Sequence, residues 1–371
     1  MKDLFQELVL NPIMHSIEAY ASNNAFFIGG HYHTYREFGQ AVADARLRVG
    51  GKEEKVCILD VKDNLETYAT IVALWLEGKA FVPLNRLQPE NRNKAIVKQL
   101  AHPDCHYEDA LAYVLFTSGS TGTPKGVAIS RKNVGAFMDS FWKTGIHIHK
   151  DDRCLQCFDL TFDVAIQSFL VALTQGACIY TVPYGTVKYL SAAYLIHEHH
   201  ITFGAMAPSM LTYLQPYFSE LDASSFKTCI RPAEACPAGI VEAWQRCAQN
   251  VEVYDFYGPT EATVYATYYK CNRNQAILSD NGIVSIGKPL PNVQALVINE
   301  NGNPVMTPHE RGELLLYGDQ VTQGYWNNAE KNRDAFSILT IEGENLRYYH
   351  TGDLCYWSDT GDLMYAGRID Q

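Results

Sequence analysis

The chain is 371 residues long, 47% hydrophobic and 19% charged, with a formal net charge of −11. The length exceeds one compact domain, so two or more lobes are expected, and the composition is that of an ordinary globular protein. The acidic balance argues against a broad nucleic-acid-binding face, though it leaves room for a local basic site. No apolar run of the roughly 18 residues that a span needs occurs, so no membrane span is expected. The opening MKDLFQELVLNPIMHSIEAY holds acids and a proline and does not read as a signal peptide. Ten cysteines without such a signal read as free, mostly buried thiols of a cytoplasmic protein.

In chain order, residues 1–50 read as helices around a short Phe26-Phe27-Ile28 strand. A strand at Val56–Leu59 ends at Asp60, a helix follows from Leu65 to Glu77, and Phe81–Leu84 is a strand. Strand and helix then alternate. Ser130 is a candidate N-cap for a helix through Trp142. Leu155–Phe158, Cys178–Val182, Thr202–Met206, the region of Cys229 and Val251–Tyr254 read as strands. Asp163–Leu173, Tyr189–His199, Pro208–Leu214 and Pro237–Cys247 read as helices. This alternation predicts an α/β fold of two lobes, with largely parallel sheets flanked by helices over residues 1–286. From about Gly287 the texture changes to short β-rich pieces between Gly, Asn and Pro turns. A smaller, β-barrel-like subdomain is expected over 287–366. Cys154 and Cys157 form a lone C-x-x-C with no second pair at zinc-finger spacing. His197-Glu198-His199-His200 lacks the histidine at Ile201 that H-E-x-x-H requires, so it reads as a solvated helix end.

The most informative stretch is Tyr113 to Ser130, YVLFTSGSTGTPKGVAIS, which reads as strand, loop, strand. Thr117, Ser118, Gly119, Ser120, Thr121, Gly122 and Thr123 carry no large side chain, and Pro124, Lys125 and Gly126 close the loop. Glycines let backbone approach a ligand, and N–H groups with hydroxyls make an anion-binding concavity. The lysine adds a point charge suited to phosphate. A Walker A loop is excluded, because Pro124 precedes the lysine and Gly126 follows it where Ser or Thr is required. The string TSGSTGTPKG resembles the phosphate loop of the adenylate-forming superfamily: acyl-CoA synthetases, luciferases and adenylation domains of nonribosomal peptide synthetases.

Further strings agree with that resemblance, in the family's order. Tyr254-Asp255-Phe256-Tyr257-Gly258-Pro259-Thr260-Glu261 lies after a predicted strand, where ligands of parallel sheets bind. It matches the family's adenine and magnesium motif. The resemblance implies that Tyr257 stacks on adenine, Asp255 meets the adenine edge, Thr260 contacts the α-phosphate and Glu261 binds Mg²⁺. Tyr349-His350-Thr351-Gly352-Asp353-Leu354 matches the ribose motif, with Asp353 on the ribose hydroxyls. In Tyr365-Ala366-Gly367-Arg368-Ile369-Asp370, Arg368 matches an arginine near ribose and phosphate, and Asp370 matches the hinge residue. The segments 74–84 and Gly312–Trp326 resemble further motifs. ATP-binding residues are therefore expected at Thr117–Gly122, Lys125, Asp255–Gly258, Thr260, Asp353, Tyr365 and Arg368. Lys125, Thr260, Glu261 and Arg368 are the expected catalytic groups, and ATP and Mg²⁺ the cofactors. The chain stops one residue past the hinge aspartate, so residues 367–371 would begin the hinge. The family's small C-terminal domain, with its catalytic lysine, is expected to be missing, and turnover by these residues alone impaired.

Family enzymes join a carboxylate to AMP and pass the acyl group to a thiol of CoA or of a carrier protein's phosphopantetheine. In amino-acid-activating members an aspartate after phenylalanine binds the substrate ammonium, and Asp163 falls there; capping the following helix is its alternative role. A buried ammonium needs a countercharge. The carried-over acyl pocket is Asp163, Val164, Gln167, Ala205, Ile230, Pro232, Phe256, Val264 and Tyr265. Bulky Phe256 and Tyr265 favour a small substrate. Phe158-Asp159-Leu160-Thr161-Phe162-Asp163 also resembles stand-alone activators such as D-alanine–carrier protein ligases. Arg231-Pro232-Ala233-Glu234 departs from the Gly-Gly-Glu common at that place. The expected function is amino acid adenylation for a carrier protein, with no nucleic acid or membrane partner. The alternatives are an acid:CoA or aryl-acid ligase, or a nucleotide- and substrate-binding core with little turnover.

Overall fold

The computed structural model describes residues 3–101, 107–118, 122–341 and 343–369. A nine-stranded sheet runs in the order Lys288–Pro289, Thr267–Cys271, Glu252–Tyr257, Thr228–Arg231, Phe203–Ala205, Arg153–Gln156, Cys178–Thr181, Asn24–Ile28 and His31–Thr34. The strands from Glu252–Tyr257 to Asn24–Ile28 pair in parallel, and the outer ones antiparallel. A five-stranded sheet has the order Gly324–Tyr325, Pro124–Ser130, Leu111–Ser118, Ala80–Leu84 and Val56–Asp60. The β-rich end builds an antiparallel sheet from Gln294–Ile298, Gly312–Tyr317 and the 14-residue strand Glu344–Trp357. That long strand also pairs with Phe336–Ile341 and Leu363–Arg368. The mixed α/β fold with parallel strands and a smaller β region is the expected one.

Helices fill the space between the sheets where their sequences are apolar all round. In Asp163–Leu173 every residue after the first is buried. Leu65–Leu76 buries Trp75, whose indole N–H donates to the Ala112 carbonyl at 2.9 Å. Ser130 caps Arg131–Trp142 in a capping box with Asn133, as expected. Among the described residues no helix is long and apolar enough to cross a membrane.

Several element boundaries differ from the sequence reading. The strand expected at Leu155–Phe158 ends at Gln156, because Asp159 turns the chain by accepting from the Thr161 N–H. The strand expected at Val251–Tyr254 runs to Tyr257. The helix Glu90–Leu100 escaped notice because it buries only Ile96 and has no side-chain N-cap. The helix Lys188–His199 ends on left-handed His200, φ 52°. Its His199 packs on Phe27 with ring centres 4.3 Å apart rather than standing free in solvent.

Candidate active site

The parallel strands of the large sheet deliver their C-terminal ends, Gln156, Ala205, Arg231 and Tyr257, to one side of the molecule. Ligands of open α/β sheets bind at that side. The hairpin Leu111–Ser118/Pro124–Ser130 faces the same region and pairs Thr117 with Lys125 and Ser118 with Pro124. Pro124, Lys125 and Gly126, expected in the loop, are therefore strand residues. Pairing runs on through them, and the lysine stands on a ladder instead of a mobile tip. Gly119, Ser120 and Thr121 lie outside the described residues. Gly122 takes φ +77° beside them. Thr117 buries a hydroxyl that has no partner among the described residues, while Ser118 is exposed.

Lys125 Nζ donates to Glu261 Oε1 at 3.0 Å and to Tyr325 Oη at 3.3 Å, and Tyr325 donates to the same Oε1 at 2.6 Å. Glu261 is 4% exposed, so its charge needs these partners. It sits in the short 3-10 turn Thr260–Ala262 that follows Gly258-Pro259. A Cβ on Gly258 would meet the Tyr265 Cα at 2.5 Å, so only glycine lets the chain pass there. Thr263 and Val264 then adopt left-handed φ values of 57° and 70°. Such conformations cost non-glycine residues about 1 kcal/mol each or more. Gln320 holds the turn by donating to the carbonyls of Tyr265 at 2.7 Å and Ala262 at 3.3 Å. Thr263 Oγ1 donates to the Gln320 carbonyl at 2.5 Å. Neither Tyr325 nor Gln320 was singled out from sequence as a site residue. Both lie within the Gly312–Trp326 segment, but no local pattern marks either side chain. Gln320→Leu is expected to lower stability by about 2–3 kcal/mol, since two buried carbonyls lose their donor. Thermal melting checks it.

A cleft of about 270 Å³ opens beside this turn, bordered by Asp255–Pro259, Ala233–Cys236, Ile286, Asp353 and Tyr365. Tyr257 Oη donates to Asp353, and Arg368 Nη1 donates to Asp353 Oδ1 at 3.1 Å and to the Thr351 carbonyl at 2.9 Å. Thr351 Oγ1 accepts from the Asp353 N–H at 3.0 Å. Burial pushes the Tyr257 phenol well above its ordinary range, and Asp353 adds to the shift. The cleft thus combines an aromatic ring with an acceptor carboxylate that the Arg368 guanidinium holds from a third motif. Asp370 lies outside the described residues. Ala233 takes left-handed φ 75° at the cleft rim, a conformation that favours glycine. Ala233→Gly is expected to raise stability by up to about 1 kcal/mol, readable by denaturant titration.

Asp163 opens its helix one residue after the N-cap Phe162, which makes no side-chain cap bond. Its carboxyl is pushed up from 3.8 to about 6, chiefly by burial and also by the charge of Glu261. Hydrogen bonds from the Thr260 hydroxyl and the Val164 N–H oppose that rise. Asp163 thus lies within reach of the Thr260 hydroxyl and of the charge of Glu261. Behind it, Val164, Ala205, Ile230, Phe256, Val264 and Tyr265 share one buried cluster, and Pro232 is buried at the end of the Ile230 strand. Tyr265 Oη donates to Gln167 Oε1 at 3.1 Å, and the Phe256 and Tyr265 ring centres are 4.7 Å apart. Gln167 is wholly buried, with its Nε2 unpartnered among the described residues.

The family model described as AMP-binding enzyme matches residues 98–326, more than half of the chain. The chain belongs to the AMP-binding enzyme family. The chain is 27% identical to tyrocidine synthase 1 of Brevibacillus parabrevis over 95% of its own length and 35% of that protein. It therefore spans about a third of that relative. Its fold matches that of the Vibrio cholerae adenylation domain AlmE in complex with glycyl-adenosine-5'-phosphate, with TM-score 0.84 and 24% identity. That match covers 96% of this chain and 78% of AlmE. It also matches NpsA-ThdA, an artificially fused adenylation–PCP di-domain NRPS from Klebsiella oxytoca, with TM-score 0.84 and 20% identity, covering 97% and 79%.

Proposed function

We propose that the chain activates an amino acid with ATP as an aminoacyl-AMP, releasing pyrophosphate, for transfer to the phosphopantetheine thiol of a carrier protein. The observation that carries this reading is Asp163: a carboxylate set between an apolar pocket and the Thr260–Glu261–Lys125 group. It offers a countercharge to a substrate ammonium at the place where the substrate carboxylate would meet the α-phosphate. Tyr257 and Asp255 take the base, Asp353 the ribose hydroxyls and Arg368 the ribose–phosphate junction. The hairpin loop, Lys125 and Thr260 take the phosphates.

Glu261 suits Mg²⁺, a hard cation held in nucleotide sites by one or two carboxylates plus phosphate oxygens. Among the described residues no three His, Cys, Asp or Glu side chains converge, so phosphate oxygens and water would complete the shell. Mg²⁺ supplies neutralisation of phosphate charge. In the reaction a substrate carboxylate oxygen bonds to the α-phosphorus as the α–β P–O bond breaks, and its electron pair leaves with pyrophosphate. The carrier thiol then attacks the acyl carbon, AMP leaves and the thiol proton is released. The residues act by positioning and by balancing charge.

The glycyl adenylate named for AlmE and the adenylation–PCP pairing named for NpsA-ThdA support this reading. The tight Phe256–Tyr265 contact and the Tyr265–Gln167 bond support a small side chain. Tyr265→Ala is expected to shift preference towards larger amino acids, read in an ATP–pyrophosphate exchange panel. The same panel, run on the full-length gene product with amino acids, aryl acids and simple acids, tests the assignment. A preference for acids lacking an α-amine overturns it.

A further inference from the structure

Arg231 ends the strand Thr228–Arg231 and is 0% exposed. The parallel register sets it opposite Asp255 on Glu252–Tyr257. Arg231 Nη2 donates to Asp255 Oδ1 at 3.2 Å and to Cys271 Sγ at 3.7 Å, and Nη1 donates to Cys236. Burial pushes the Cys229 and Cys271 thiols up to about 12 and raises Cys236 further, so these neighbours remain neutral. Asp255 is thus the charge that balances the guanidinium. A buried arginine is costly, and packed apolar residues often serve stability as well or better. Stability alone gives a poor account of it.

The two members of the pair stand differently towards the cleft. Asp255 borders it together with Tyr257, and Arg231 does not. Arg231 therefore reaches a nucleotide only through the carboxylate. The protonation of that carboxylate decides what it can recognise. Ionised, Asp255 only accepts hydrogen bonds and suits an exocyclic amine. Protonated, it also donates and suits a carbonyl oxygen. Burial pushes the Asp255 carboxyl up to about 7 even with Arg231 beside it, so without the guanidinium the neutral form gains ground.

Resting on the base-binding reading of this cleft, we propose that Arg231 is a positioning residue that holds Asp255 oriented and ionised, so that the site selects 6-amino purines over 6-oxo purines.

The test uses the full-length gene product and ATP–pyrophosphate exchange, with ATP and GTP compared at saturating amino acid. Arg231→Met is expected to raise the ATP KM about tenfold and to cut the ATP:GTP ratio of kcat/KM by about tenfold or more. The amino acid KM should stay unchanged, an outcome that a merely structural role does not produce. Arg231→Lys, which keeps the charge, should recover part of the ratio. An unchanged ATP:GTP ratio in folded Arg231→Met overturns the proposal. Should Arg231→Met fail to fold, Arg231→Met/Asp255→Asn removes the stranded charge and carries the test. Its ratio should equal that of Asp255→Asn alone, and a further change overturns the proposal. Asp255→Ala separates the two levels. If it leaves the ATP KM unchanged, the base-binding reading itself is wrong. If it raises the ATP KM while Arg231→Met leaves selectivity intact, only the role of Arg231 falls.

Discussion

Asp163→Asn is expected to lower amino-acid-dependent ATP–pyrophosphate exchange by about 10²–10³-fold, since an ammonium in an apolar pocket loses its countercharge at a cost of about 3–4 kcal/mol. ATP binding, which Asp163 does not contact in this reading, should change little. The same substitution should stabilise the empty protein. Asp163 has a folded-state pKa of about 6 against an ordinary 3.8. Because the folded value is the higher, its contribution is present in full below pH 3.8 and is lost as pH rises through about 6. At pH 7.5 the ionised group weakens the empty fold, by about 1–2 kcal/mol after allowance for its partial solvent access. The melting temperature of Asp163→Asn should therefore exceed that of the parent by a few degrees at pH 7.5. The gap should close towards pH 4. Loss of exchange together with loss of stability at pH 7.5 would point to a structural aspartate instead.

Glu261→Gln should have opposite effects on binding and on turnover. Glu261 and Lys125 neutralise each other in an ion pair of 3.0 Å. On the proposed reading, phosphate binding would draw the lysine away, and the carboxylate it leaves would hold Mg²⁺. Removing the carboxylate charge frees Lys125 for phosphate, so ATP without Mg²⁺ should bind several-fold to about tenfold tighter. Mg²⁺-dependent exchange should fall by about 10²-fold or more. Calorimetry with and without Mg²⁺, beside exchange kinetics, checks both arms. Lys125→Ala leaves Glu261 buried without its cation, so it should lower exchange and also thermal stability. If Glu261→Gln weakens ATP binding without Mg²⁺, the pairing does not restrain the lysine.

Much of the fold was legible because its signals are local. The Asp163–Leu173 helix announces itself by an unbroken apolar run, and Ser130 by its cap. Glu90–Leu100 was not legible, since a mostly polar surface helix with one buried side chain carries no periodic signal. The position of Lys125 was misjudged in a particular way. Glycine and proline around it read as loop, but the ladder pairing Thr117 with Lys125 is a non-local contact that overrides local preference. Asp163 reads as a substrate contact with a helix cap as its alternative role, and the sequence could not show that Thr260, which lowers its pKa, comes near it from a turn 97 residues later (260 − 163).

By itself the sequence determined the TSGSTGTPKG string, the Tyr257–Glu261 turn, the Thr351-Gly352-Asp353 string and the order in which they occur. These are short runs whose backbone needs are met within a few residues, such as the glycine at 258 that no Cβ could replace. Only the tertiary structure decided which charges oppose one another. Lys125 meets Glu261 across 136 residues, Tyr257 meets Asp353 across 96, and Arg231 meets Asp255 across two adjacent strands. Charge balance in a buried site is a property of three-dimensional neighbours and of the water excluded between them. No local pattern specifies it. The TSGSTGTPKG string could therefore be read as a candidate anion site from its residues, but its Lys125 is paired with a carboxylate that only the fold brings near.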